Sequence, residues 1–261
     1  MKGIVTLLVV FLSQALAAQR VLPSPTPPNS EMALAESSSP PSVGQQQAEA
    51  QDVKAPYPSM APLDQYLIAD RVSETALARS AAPESISRDA EILVLGRHGY
   101  ETAVKGKNGF VCIVERSWTV ESDDPEFWNP KLQAPLCLNT PAVRFYLPRT
   151  FKKTELILAG RSKAQVFENI RAAVDKNELP AIEPGAMCYM MSKQGYLSDH
   201  VGHWHPHLMF FVPLLDSAAW GAGLPGSPVA MAFTNTDERM TTFLIPVAKW
   251  SDGTEAHPDD H

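Results

Sequence analysis

The chain has 261 residues, 44% of them hydrophobic and 20% charged, which is enough to bury a core and excludes global disorder or a fibrous repeat. A net charge of -7 argues against nucleic-acid binding, which needs a basic face to displace counterions, and against adhesion to anionic membranes. Three cysteines are too few for a disulfide scaffold.

In chain order, Met1–Ala18 reads as a secretory signal. Lys2 supplies the positive start, Ile4–Leu12 is apolar except for Thr6, and Ala15-Leu-Ala17 offers a small-x-small cleavage pattern. The apolar run is too short to span a bilayer, which needs about 20 residues, and nothing later in the chain is apolar for long enough. No stable membrane insertion is therefore expected after processing. Residues 19–62 form a Pro/Ser/Gln-rich linker; nine of the 23 prolines lie between Val21 and Pro62. Such a composition cannot offset chain entropy by burial, so it is expected to be disordered. A single globular domain is expected over 63–253, followed by a flexible tail, 254–261.

Within the domain, Leu63–Ala82 carries helical spacing up to the stop at Pro83. Glu91–Leu95 and Phe110–Val114 are short β-rich runs; the turn-prone Gly106-Lys-Asn-Gly109 between them predicts an antiparallel hairpin. Glu155–Leu158 is a further strand candidate. Ser162–Lys176 predicts a helix, with Ser162 and Gln165 as a capping box and Val166, Phe167, Ile170, Ala173 and Val174 as its apolar stripe. Met187–Met191, Leu208–Val212 and Phe243–Val247 are strand-length apolar runs. Because strands and helices do not alternate, the expected class is α+β with a largely antiparallel sheet.

Four of the seven histidines fall in His200-Val-Gly-His203-Trp-His205-Pro-His207. If this segment is extended, His203, His205 and His207 share one face, a spacing that suits a divalent transition metal such as zinc. A carboxylate or a third histidine would complete such a site; no supporting acid is identified by the sequence, although Asp199 is adjacent and Glu115 could be near in space. The plainer reading is that Pro206 breaks the alternation and the histidines line a polar loop. A metal-bound water would then attack an ester, amide or phosphate, with His207 as third ligand or general base. The segment is expected to be held between two paired strands, Met187–Met191 and Leu208–Val212. The rival reading is a non-catalytic periplasmic binding or interaction module in which Trp204 and the histidines contact a small ligand or a partner. Arg97-His98-Gly99 resembles the signature of the histidine phosphatases, which would make His98 a phosphorylated nucleophile. Tyr100 intervenes where that family carries its acidic or amide residue.

Cys112 and Cys137, separated by 24 residues in an exported chain, can pair; the bridge would contribute on the order of 3 kcal/mol. Cys188, in an apolar run, reads as a buried inert thiol, the alternative being a nucleophile activated by a histidine. Glu121–Glu126 lacks the ligand spacing of a calcium loop and reads as a solvated turn. Trp220–Pro228 reads as an irregular surface loop. Trp118, Trp128 and Trp204 fit either a core or a cleft wall.

Several pieces together, Asn108-Gly-Phe-Val-Cys112, Pro135-Leu-Cys137, Met187-Cys-Tyr-Met-Met-Ser192, Gly202-His-Trp-His-Pro-His207-Leu-Met-Phe-Phe and Leu244-Ile-Pro-Val247, resemble a group of exported bacterial proteins with no assigned activity. The resemblance implies a periplasmic or secreted protein and singles out His207. It supplies no reaction.

Overall fold

The computed structural model describes residues 56–199, 202 and 204–257. Residues 1–55, to which the expected signal and most of the expected linker belong, and His200, Val201, His203 and residues 258–261 lie outside the described residues. The fold is α+β, as the run of elements predicts: one eight-stranded sheet in the order β2-β1-β3-β4-β5-β6-β8-β7. Every neighbouring pair is antiparallel except β1 and β3.

Residues 57–61, expected to belong to the linker, are part of the packed domain. Tyr57, Met60 and Ala61 already pack beside the buried Tyr66, Trp118 and Trp128. The predicted first helix is two pieces: a single turn over Leu63–Gln65, and α1 (Arg71–Arg79). Asp70 separates them because its carboxylate accepts from the amides of Val72 and Ser73, an N-cap that starts a new helix. A short α2 (Glu84–Ser87) follows Pro83.

The predicted hairpin is a correction. β1 (Glu91–Gly96) pairs with β2 (Gly99–Val104), a strand the sequence reading did not anticipate, through the two-residue turn Arg97-His98. β3 (Val111–Glu115) then lies on the opposite edge of β1, parallel to it. The chain therefore crosses the start of β1 between β2 and β3. Gly106 makes this crossing possible: a Cβ there would sit 2.1 Å from the Glu91 amide nitrogen. The Gly106–Gly109 stretch is a crossover, not a hairpin turn.

β4 (Ala134–Leu138) pairs antiparallel with β3 and sets Cys112 opposite Cys137, which are bonded as a disulfide. α3 (Thr140–Leu158) follows, capped by Asn139, whose side chain accepts from the Ala142 amide. Glu155–Leu158 is the last turn of this helix, which corrects its reading as a strand. α4 (Lys163–Asp175) starts at the predicted capping box of Ser162 and Gln165 and buries Val166, Phe167, Ile170 and Ala173. β5 (Met187–Met190), β6 (His207–Pro213) and β8 (Met240–Pro246) match the remaining predicted strands, and β7 (Met231–Asn235) adds an unanticipated edge. The end of the chain folds back, with Lys249 bridging to Glu255.

The two faces of the sheet have different covers. On one, Leu77 and Ala78 of α1 pack with Ile92, Val94, Cys112, Val114 and Cys137. On the other, Ala142, Phe145 and Leu147 of α3 pack with Ile113, Leu136, Leu138, Cys188 and Phe211. At the edge of α1, a buried ion pair between Arg116 and Glu74 (2.8 Å) ties helix to sheet, and Glu74 also accepts from the Leu95 amide.

Candidate functional site

The histidine segment is held as expected, between two paired strands. Met190 of β5 lies opposite His207 of β6, so the loop begins and ends at neighbouring positions. The loop is pinned in its described part: Tyr196 bridges to Gln133, and the Trp204 indole donates to the Met190 carbonyl at 3.1 Å. Gly195 lies against the Trp204 ring so closely that a Cβ would come within 2.1 Å of it.

His207 is 4% exposed, and its Nδ1 lies 2.7 Å from the His205 carbonyl oxygen. A carbonyl only accepts, so Nδ1 carries the hydrogen and Nε2 keeps its lone pair. Burial lowers the His207 pKa, partly offset by this hydrogen bond, so the ring is neutral at physiological pH. The His205 ring neighbours Trp250, whereas the His207 ring neighbours Trp204. Among the described residues, no group of three His, Cys, Asp or Glu is placed to hold a metal ion.

The carboxylates expected beside these histidines have other partners. Asp199 accepts from Tyr196, Tyr57 and Lys131, and those hydrogen bonds hold its pKa well below the usual carboxylate range. Glu115 ends β3, three strands from β6. His98 occupies an exposed hairpin turn, and the neighbouring Arg97 pairs with Asp64. Cys188 is buried, which raises its thiol pKa well above the ordinary value, and it faces Met209 across the strand pair. A buried thiol of this kind is inert, so its reading as an activated nucleophile is corrected.

The densest convergence of charge lies elsewhere, under α3. Tyr146, Arg149, Thr150, Lys153 and Thr154 recur at helical spacing on one face of that helix and turn inward. Glu115 meets this face: it accepts from the Thr150 hydroxyl at 3.1 Å and from the Tyr146 hydroxyl at 3.2 Å. Burial pushes the Glu115 pKa up to about 7, with the Lys153 ammonium and the hydroxyl donors pulling the other way. Lys153 Nζ lies 2.6 Å from Glu238 Oε1 and donates to the Thr119 carbonyl at 3.1 Å. Glu238 comes from the turn between β7 and β8 and also accepts from the Asn235 amide at 3.2 Å. Arg149 Nε lies 3.7 Å from Glu238 Oε2, while its NH1 donates to the carbonyls of Phe145 and Pro180.

Beside this cluster is a cavity of about 110 Å³ between α3 and the β6-β8-β7 wing of the sheet. Strand alternation supplies its floor: Met209 and Phe211 from β6, Met240 and Thr242 from β8, Phe233 and Asn235 from β7. Tyr146, Lys153, Glu238 and Glu121 supply the polar wall. Burial raises the Glu121 pKa; Lys153 opposes the shift, and the carboxylates of Glu238, Asp123 and Asp124 add to it. Fixed charges beside an apolar floor can orient a small polar ligand.

Of this cluster and its cavity, the sequence points only to Glu115, placed with the wrong neighbours, and Glu121, placed in a solvated turn. The available signal was the row Tyr146, Arg149, Thr150, Lys153, Thr154, polar residues at helical spacing behind a good cap at Asn139. Comparison of the chain with protein-family models, curated proteins and solved structures finds no match.

Proposed function

We propose that the chain is an exported small-molecule-binding protein whose ligand sits in the cavity between α3 and the β6-β8-β7 wing. The observation that carries this reading is the buried Lys153–Glu238 pair in the cavity wall, with side chains 5% and 3% exposed. A buried ion pair is often no more stabilising than apolar residues of the same volume, so stability alone is a poor reason to build one. Beside a cavity with an apolar floor it provides fixed dipoles for recognition. Export is supported by the leader, by the likeness to exported bacterial proteins, and by a disulfide of the kind that persists in oxidising compartments.

The test is a thermal-shift and NMR titration of the mature protein with small amines, carboxylates and alcohols. One class is expected to bind wild type and to lose binding in Thr242→Met, which fills the cavity. Failure of all three classes to bind, or binding unchanged in Thr242→Met, would reject the reading.

A second reading, metal-dependent hydrolysis at the histidine segment, keeps one specific support. The Nδ1–H of His207 donates to a backbone carbonyl, the arrangement that orients metal-ligating histidines and leaves Nε2 for the ion. His205 and His203 would be the other ligands. Metal analysis of untagged protein, with added zinc, copper and nickel, tests it: no bound metal and no affinity would end it.

A further inference from the structure

Resting on the reading of the α3 cavity as a ligand site, we infer that its ligand is a small organic cation of the alkylammonium type. It would be held between the Glu121 carboxylate and the rings of Tyr146, Phe211 and Phe233.

Charge supplies the first argument. Three carboxyl groups, Glu115, Glu121 and Glu238, meet two cations, Arg149 and Lys153, in and behind the cavity wall. The two cations are engaged: Lys153 lies between Glu238 and the Thr119 carbonyl, and Arg149 lies on the carbonyls of Phe145 and Pro180. Glu121 is the remainder. Its carboxylate has no hydrogen bond or ion pair among the described residues; Lys153, already engaged by Glu238, is the one favourable charge acting on it, against the carboxylates of Glu238, Asp123 and Asp124. A cation placed beside it relieves that repulsion, whereas an anion would add to it.

The walls supply the second argument. Tyr146 and the buried Phe211 pack on each other with ring centroids 5.0 Å apart at the back of the space, while Phe233, 43% exposed, offers its ring from β7. Aromatic faces attract alkylammonium groups through the ring quadrupole, an attraction that grows when water is excluded. Size supplies the third. About 110 Å³ of space suits the entry of a compact group of a few heavy atoms.

The experiment is calorimetric titration of the mature protein with trimethylammonium chloride, with tert-butanol as a neutral counterpart of similar shape and sodium acetate as the anion. Trimethylammonium is expected to bind, with affinity reduced roughly tenfold by Glu121→Gln. Phe233→Leu is expected to reduce it about threefold. Both variants should keep the wild-type melting temperature, since Glu121 and Phe233 are not fully buried. Equal binding of tert-butanol, or no change in Glu121→Gln and Phe233→Leu, would overturn the cation assignment. Binding of acetate in place of trimethylammonium, abolished by Thr242→Met, would overturn the ligand class and leave the cavity as the site. Binding of none of the three would reject both.

Discussion

The helices α3 and α4 pack against each other but are built on different rules. In α4 every local signal agrees: a capping box at Ser162, an apolar stripe of Val166, Phe167, Ile170 and Ala173, and a polar outer face. α3 begins as well, with Asn139 as cap and a proline in the first turn, and then breaks the pattern. Pro148 removes a backbone donor from its interior, and its buried face carries Arg149, Thr150, Lys153 and Thr154. Desolvating those groups is costly and is offset only because Glu115, Glu238 and backbone carbonyls meet them. Natural sequences depart from local consistency where they build function, so the irregular helix is the one to interrogate.

Four measurements test this difference between the helices. The largest effect is expected for Lys153→Met, which leaves Glu238 buried without its 2.6 Å partner and should cost about 3–5 kcal/mol in urea denaturation. If the pair serves recognition, Lys153→Met combined with Glu238→Gln, which keeps a side-chain oxygen for Arg149 and Asn235, should regain most of that stability while ligand affinity stays changed from wild type. A double variant as unstable as Lys153→Met would mean that the pair is structural.

Next comes pH. The folded-state pKa of Glu115, about 7, lies above the ordinary 4.5, so the folded protein binds this proton more tightly than the unfolded chain does. Its contribution is complete below about pH 4.5 and is lost as pH rises through about 7, on the order of 3 kcal/mol in all. Stability measured across this window should fall with rising pH in wild type, and Glu115→Gln should flatten that slope.

For α4, Ile170→Ala should cost about 2–3 kcal/mol by removing a fully buried side chain, and it should leave ligand binding unchanged. Ser162→Ala should cost about 1 kcal/mol by removing one half of the capping box. A loss of binding in either variant would show that the two helices do not divide stability and recognition between them.

What could be read from the residues follows the same division. The strands with apolar runs, Met187–Met190 and Met240–Pro246, and the amphipathic α4 were legible because one periodicity accounts for each. β2 was not: Gly-Tyr-Glu-Thr-Ala-Val is only partly buried at the sheet edge and lacks an apolar signature. The partnership of β1 with β3 depends on the chain crossing at Gly106, a packing fact with no local marker. The histidine segment was found by density, and its anchoring between β5 and β6 by strand length. The α3 cluster was hidden because buried polar residues look like surface ones until their partners, from β3 and the β7–β8 turn, are placed.

The alternation of side chains across the sheet also governs the chemistry of the three cysteines. Cys137 lies opposite Tyr189, so Cys188 is only one residue away along β5, yet it belongs to the α3 face while Cys112 and Cys137 belong to the α1 face. Thiol–disulfide exchange needs a thiolate to reach a sulfur of the bridge. Before the sheet forms, any two of the three thiols can join; once it has formed, the hydrogen-bonded backbone stands between the free thiol and the bridge. The sheet is thus a partition that keeps the spare cysteine from scrambling the bridge once the fold has formed.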